Sequence, residues 1–329
     1  MLNSFNLPMH SFPFRRNALA LLVILCGMGL GSLNHGTAQA QTNTPVPPPP
    51  LSTFPQSAQD WLNNGLKAIE ANQLPAAIEA FQTALTLDPQ LVPAHYNLGL
   101  ALRQSGDLPG AIAAFTQTTQ LDPRFALAYS NLGAALLENN NLEQAQAVLM
   151  QAIQLDPQLS IAQYNLGLVY ERAEAWPQAA AAFVRTLQLQ TNSPQAFYHL
   201  GIVLQQQAAQ VTDPQGIQRL LNQAQSAYLQ AIFLDPQYLE ALYRLGSLNY
   251  DQENYLAAIG HFRRAAEVNP NYPDAYYAAA LAFVKLNQPT DALTLFSHAL
   301  TLYQSQNRRD WAERTQQQID RLKTSLNTQ

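Results

Sequence analysis

Apolar residues along this chain recur at steps of three or four, in pairs of short stretches with a break inside each pair. One pair has Leu98 and Leu102 in its first stretch and Ile112 and Phe115 in its second, with Gly106 between them. Steps of three or four put side chains on one face of a helix. The pattern therefore predicts a unit of helix, turn and helix. Most units end at Asp-Pro or Asn-Pro, where proline forces the preceding residue out of the α region.

The predicted helix pairs repeat with a period of 34 residues. The period is carried by small residues at equivalent places, which are Gly65, Gly99, Gly133, Gly167 and Gly201. The next glycine of the series, Gly246, follows 45 residues later, so one unit holds an insertion of 11 residues within about 208–222. Seven units begin near residues 58, 92, 126, 160, 194, 239 and 273 and extend to about residue 306. A period of this size predicts an all-α solenoid, a stack of small units in place of one globular core.

Residues at fixed places in each unit resemble the tetratricopeptide repeat. The first unit supplies Trp61, Gly65, Ala77, Phe81 and Pro89, and later units repeat most of this set. The departures are Thr191 and Gln304 in place of a closing proline and Ala280 in place of a glycine. The resemblance implies a right-handed superhelix whose first helices line a concave groove. It also implies a non-enzymatic role in binding other proteins.

In the tetratricopeptide family, the residue two before the repeat glycine and its neighbour point into the groove. The first position holds Asn63, Asn97, Asn131 and Asn165, and later Arg244; the second holds Tyr96, Tyr164, Tyr198 and Tyr243. An asparagine amide has a donor and an acceptor, so a row of them can pair with an extended backbone. The row resembles the asparagine ladder in the repeat domain of the eukaryotic nuclear and cytosolic N-acetylglucosamine transferase. The alternative is that the asparagines and tyrosines serve local capping and helix packing.

The charge distribution narrows the expected partners. The chain has a formal net charge of −5 and only 12% charged residues, about half the usual fraction. Nucleic-acid scaffolds need clustered Lys and Arg, so we expect no nucleic-acid partner. The carboxylate clamp known in this family also needs inward-pointing cations, and most of those positions here hold tyrosine, leucine or alanine. The expected ligand is therefore a neutral or mixed-charge protein segment.

The motifs of catalysis and of cofactor binding are missing from the sequence. The histidines lie in different units without a second ligand at metal-site spacing, and neither a phosphate loop nor a Gly-x-Ser-x-Gly elbow occurs. We therefore expect no enzyme activity, no cofactor, no metal and no small-molecule substrate.

The first 57 residues have a different composition from the repeats. Arg15 and Arg16 precede an apolar run over 18–30 and small residues up to Ala40, the pattern of a secretory signal peptide cleaved before Gln41. Residues 41–57 form a Pro-rich spacer. The prediction is an exported protein of the periplasm or an equivalent compartment; the alternative is an uncleaved N-terminal anchor. Cleavage would leave a net charge of −7 and no cysteine.

Two further segments carry alternatives. Residues 307–329 predict a last helix that covers the apolar end of the stack, or else a dimerisation helix. The insertion, with Asp213 as a helix cap, predicts a helix that protrudes from one edge as a side contact, or else a tolerated insertion. The functional prediction is a scaffold or assembly factor that holds extended polypeptide segments. The alternatives are a structural, oligomerising envelope component that uses its convex face or ends, and an accessory subunit of an enzyme on another chain.

Overall fold

The computed structural model describes residues 57–327, and the predicted leader and almost all of the Pro-rich spacer lie outside the described residues. Over the described range the chain forms fifteen α-helices and no β-strand. The all-α prediction is therefore confirmed.

Fourteen of the described helices alternate as first and second helices of successive units. The first helices are α1 (Ala58–Glu70), α3 (Val92–Ser105), α5 (Ala126–Glu138), α7 (Ser160–Arg172), α9 (Pro194–Gln210), α11 (Leu239–Asp251) and α13 (Pro273–Lys285). The second helices are α2 (Leu74–Leu87), α4 (Leu108–Leu121), α6 (Leu142–Leu155), α8 (Trp176–Leu189), α10 (Pro214–Leu234), α12 (Tyr255–Val268) and α14 (Pro289–Ser305). The last helix is α15 (Arg309–Asn327).

The described residues divide into two compact units, each of which contains several helix pairs. The first compact unit is residues 57–169 and the second compact unit is residues 170–327. In the first unit, α1 packs on α2, α3 on α4 and α5 on α6, and the first helices α1, α3 and α5 contact one another in order. In the second unit, α9 packs on α10, α11 on α12 and α13 on α14, and α11 contacts α13. Each unit is thus a stack of helix pairs, as expected of a solenoid.

The repeat glycines bring the two helices of a pair into close contact. A Cβ atom on Gly99 would lie 2.7 Å from the ring of Phe115, and one on Gly246 would lie 2.6 Å from the ring of Phe262. The aromatic side chains beneath the glycines are fully buried. Because real Cβ atoms do not approach so closely, the 34-residue spacing of glycine reflects the packing of each pair.

A residue in the left-handed conformation ends the first helix of most pairs. In the second pair this residue is Gly106, with φ of 91°. Equivalent places hold Asn72, Asn140, Glu174, Glu253 and Asn287, with φ between 56° and 61°. Left-handed backbone costs a side-chain-bearing residue about 1–2 kcal/mol. Glycine and asparagine tolerate it best, so the two glutamates occupy these turns at a cost in stability.

The 11-residue insertion lengthens both helices of the fifth pair. Helix α9 has 17 residues and α10 has 21, whereas α11 has 13 and α12 has 14. Asp213 caps α10, because its carboxylate accepts hydrogen bonds from the backbone N–H groups of Gln215 and Gly216. The additional residues thus form a longer helical hairpin, shared between the two helices.

Helix α15 packs on α14 and covers the end of the second unit. Its inner face buries Ala312, Thr315 and Ile319, and its outer face is exposed and polar. A partly buried ion pair between Arg308 and Asp274 links the beginning of α15 to α13. This arrangement has the amphipathic character that a terminal helix of a solenoid needs.

Candidate functional site on the first helices

Two asparagines of the row, Asn97 and Asn131, use amide N–H groups in hydrogen bonds within the chain. Asn97 donates from Nδ2 to the carbonyl of Pro93, at 2.8 Å. Asn131 donates from Nδ2 to the carbonyl of Leu127 and to the Tyr96 hydroxyl, both at 3.0 Å. The expectation that each amide offers both a donor and an acceptor to a peptide therefore does not hold for Asn131, because both of its amide hydrogens are already used.

The members of the row differ in how accessible they are. Asn97 is 2% exposed, and its Oδ1 is buried without a hydrogen-bond partner among the described residues. Asn165 is also buried, whereas Asn63 and Asn131 are half-buried. Asn63 accepts a hydrogen bond from Gln59 Nε2 at 3.3 Å. Only Asn63 and Asn131 thus keep substantial surface for a ligand.

Three of the four predicted groove tyrosines lie inside the packing between repeats. The Tyr96 ring lies 5.9 Å from that of Phe115, in the second helix of its own pair, and 4.9 Å from that of Phe125, which precedes the next pair. Tyr243 repeats this arrangement with Phe262 and Tyr272, at 5.5 Å and 5.4 Å. These rings are buried. Packing accounts for their position, in agreement with the alternative reading of the sequence.

Tyr198 follows the same rule, with ring contacts to Tyr228 at 6.1 Å and to Tyr238 at 5.1 Å, and is likewise buried. Tyr164 is half-buried. It is therefore the one predicted groove tyrosine that keeps substantial surface in the described part of the chain.

A hydrogen bond joins each of two buried tyrosines to the first helix of the following pair. Asn131 donates to Tyr96, and Arg244 forms the equivalent bond to Tyr198. Burial raises the pKa of Tyr96 to about 12, against a smaller opposite effect of the bond from Asn131. Burial also raises the pKa of Tyr198, while the charge of Arg244 lowers it by less. The two predicted site residues Asn131 and Arg244 thus tie consecutive repeats together.

An ion pair and a histidine–carboxylate hydrogen bond each join consecutive first helices, and neither was predicted from the sequence. Arg103 binds Glu138 at 2.5 Å across consecutive pairs. His199 Nδ1 lies 2.8 Å from the Glu171 carboxylate, with the His199 ring stacked on Phe183. The ion pair between Arg103 and Glu138 could have been predicted from the sequence. Their separation of 35 residues is one repeat period of 34 plus one residue, which puts them at neighbouring places on consecutive first helices. Arg103 therefore does not stand alone as a cation for a ligand.

Metal ligands do not cluster in the described chain. Among residues 57–327, no three His, Cys, Asp or Glu side chains are grouped so that they could hold a metal ion. No helix in this same range is both long and apolar enough to cross a bilayer.

Comparison with known proteins supports the repeat family. Four segments match the family model described as TPR repeat, at residues 65–104, 99–140, 135–173 and 246–287. No curated protein matches the chain.

Several solved structures have a similar fold, and two of them are described as tetratricopeptide repeat proteins. One from Parabacteroides merdae is 15% identical, with a TM-score of 0.58 over 80% of this chain and 100% of that one. PilF of Pseudomonas aeruginosa is 22% identical, with a TM-score of 0.56 over 66% and 94%. YrrB, a TPR protein with an unusual peptide-binding site, is 24% identical, with a TM-score of 0.50 over 63% and 100%. At these identities the likeness concerns the fold. The four matched segments, together with the stacked helix pairs, show that residues 65–173 and 246–287 belong to the tetratricopeptide repeat family.

Proposed function

We propose that this protein is a non-enzymatic scaffold that holds an extended, uncharged polypeptide segment against the first helices of residues 57–169. Stacked repeats create extended binding surfaces of this kind. The peptide-binding site described for YrrB supports the same class of partner.

The observation that carries the proposal is an uncharged strip across three first helices. Residues 92–102 of α3, 126–137 of α5 and 160–169 of α7 contain no Asp, Glu, Lys or Arg. Next to the strip, the charges of Arg103 and Glu138 neutralise each other. A charged ligand would lose its hydration on binding here and would find no side chain of opposite charge, which is costly. A neutral segment avoids that cost.

The strip offers apolar contact and oxygen acceptors. Leu100, Asn131 and Tyr164 are half-buried, one on each of the three first helices. Because the N–H groups of Asn131 are already used, its Oδ1 is the atom left for a ligand. We therefore expect backbone N–H groups of the bound segment to donate to it. Backbone recognition of this kind selects extended conformation more than side-chain identity.

A photoreactive phenylalanine analogue in place of Tyr164 tests the proposal in the producing cell. We expect it to crosslink to polypeptide segments, which mass spectrometry then identifies, and we expect the same probe at Leu87 on α2 to give none of these adducts. Combining the probe at Tyr164 with Leu100→Glu, at another place in the strip, should abolish the adducts, whereas the uncharged Leu100→Gln should retain them.

Thermal unfolding followed by circular dichroism shows whether the Leu100 variants remain folded. The Leu87→Glu variant places the same charge on the second helices and should leave the adducts unchanged. Adducts that survive Leu100→Glu in a folded protein, or that form equally at position 87, would contradict binding on the first helices.

We also propose that the protein is exported, on the strength of the N-terminal pattern, and that it acts as an assembly factor there. N-terminal sequencing of the protein recovered from cell fractions tests this. A first residue of Gln41 in the extracytoplasmic fraction is expected, and an intact N-terminus in the membrane fraction would instead indicate an anchor.

A further inference from the structure

Helix α10 exposes two large apolar side chains one turn apart. Phe233 is 78% exposed, the largest exposed fraction of any large apolar residue in the described chain, and Leu229 is 46% exposed. Leu229 directly follows Tyr228, the buried aromatic residue of the pair, and Phe233 lies five positions after it. A solvent-facing Leu-Phe pair at this spacing forms a continuous apolar strip on a helix.

Packing within the repeats does not require these two side chains. The position of Phe233 is polar in every other pair, where it holds Thr86, Gln120, Gln154, Gln188, Glu267 and Thr301. All six are exposed. The buried side of α10 is formed by other residues, among them Ala224, Tyr228 and Ala231. Phe233 is therefore an addition to the outer surface of the stack and not a part of its core.

The next second helix, α12, carries opposite charges at the same two positions. Arg263 corresponds to Leu229, and Glu267 corresponds to Phe233. Both charged side chains are well exposed, and Arg263 Nε lies 3.8 Å from Glu267 Oε1. Because equivalent repeat positions project from the same face, α10 and α12 together present an apolar strip beside a pair of opposite charges.

This pattern is complementary to itself. The complementarity follows from a two-fold axis that lies in the plane of the surface and runs perpendicular to α10 and α12. This axis passes halfway between Leu229 and Phe233 on α10 and halfway between Arg263 and Glu267 on α12. It would bring Leu229 of one copy against Phe233 of a second copy, and Arg263 against Glu267, in both directions. In a two-fold interface each contact occurs twice. Apolar surface would thus be buried, while both charges find partners.

We propose that the outer face of α10 and α12 binds a second copy of this chain through this two-fold arrangement. Phe233 is the central apolar anchor, and the Arg263 and Glu267 pairs set the antiparallel register. The alternative occupant, an anionic lipid surface, fits less well, because Glu267 lies at the level of Phe233 and would be pressed against negative headgroups. The proposal concerns a different surface from the first-helix strip and does not depend on it.

Sedimentation equilibrium of the full chain over a range of concentrations tests the proposal. The wild type should reach a dimer. Phe233→Gln, which installs the residue of the equivalent places in α4 and α8, should weaken the dimer at least about tenfold, the effect expected of a central apolar anchor. Leu87→Gln removes an exposed leucine from α2 and should leave the dimer unchanged.

Charge exchange identifies the second copy as the occupant. Arg263→Glu or Glu267→Arg alone places like charges together and should weaken the dimer. The double variant should restore it to within about threefold of the wild type, since each new glutamate meets a new arginine of the other copy. Circular dichroism confirms that each variant is folded. A monomer at every concentration, a dimer insensitive to Phe233→Gln, failure of the double variant to restore association, or Phe233-dependent binding to anionic vesicles in place of dimerisation would each overturn the proposal.

Discussion

Arg308 donates two hydrogen bonds to the carboxylate of Asp274, from Nη2 to Oδ1 at 2.9 Å and from Nη1 to Oδ2 at 3.1 Å. Asp274 is 1% exposed and also accepts a hydrogen bond from the Tyr303 hydroxyl at 2.7 Å. The guanidinium in turn lies over the Tyr303 ring. This cluster joins α13, α14 and the residue that precedes α15, so it closes the stack at the C-terminal end of the second unit.

We predict that Asp274→Ala lowers the free energy of unfolding by about 3 kcal/mol, because it leaves Arg308 without its charge partner. Urea unfolding followed by circular dichroism measures the change. The double variant Asp274→Ala with Arg308→Met should lose less than the two single variants together, since the second substitution removes the unpaired charge. Additive losses would show that the pair is not coupled.

We predict that Gly246→Ala destabilises the second unit by about 2 kcal/mol, although alanine is the better helix former. The new Cβ would lie 2.6 Å from the Phe262 ring, and overpacking costs about 1–3 kcal/mol. Gly260→Ala is the matched control, because no atom lies within 4 Å of the corresponding Cβ. There the gain in helix propensity, about 1 kcal/mol, should appear alone. Equal effects at both sites would contradict the packing role of the repeat glycine.

The left-handed turn at Glu253 predicts a stabilising substitution. Glycine adopts φ of 61° without steric cost, so Glu253→Gly should raise the free energy of unfolding by about 1 kcal/mol. Asn287→Gly should gain less, because asparagine already tolerates this conformation. The measurement is the shift of the urea midpoint. A larger gain at Asn287 than at Glu253 would refute this account.

Stability should fall at alkaline pH. Burial raises the pKa of Tyr96 to about 12 and raises the pKa of Tyr228, Tyr243, Tyr272 and Tyr303 as well. In the unfolded chain these hydroxyls have a pKa of about 10. The stabilisation is thus complete below pH 10 and is lost as pH rises above it. Tyr96→Phe should reduce the loss by about 1 kcal/mol near pH 11, as measured by urea unfolding. A variant with the same pH dependence as the wild type would contradict the burial of this hydroxyl.

The fold could be predicted from the sequence because its determinants are local and repeated. Gly99 and Phe115 belong to one pair, and a glycine against a large buried side chain recurs at Gly65, Gly133, Gly201 and Gly246, so each of these pairs supports the prediction of the others. The identity of the family and the all-α class were confirmed for this reason.

The direction of side chains on the first helices could not be predicted in the same way. Tyr96 is buried because Phe125, which precedes the following helix pair, packs against it. Asn131 points toward Tyr96 because its amide donates a hydrogen bond to the Tyr96 hydroxyl. Both residues would satisfy the same sequence pattern if they faced a ligand. What decides between the two is the next repeat in space, which a helical period alone does not specify.

The longer hairpin of α9 and α10 shows how this stack accommodates changes in length. Compared with α11 and α12, α9 has four more residues and α10 has seven. At about 100° per residue, these additions rotate a helix face by only about 40° and 20°, so Ala224 and Tyr228 still face α9. The hairpin is therefore extended by about one and two helical turns while Tyr228 stays packed against Gly201, which makes the end that joins α9 to α10 a place where a helical segment can be added to this array.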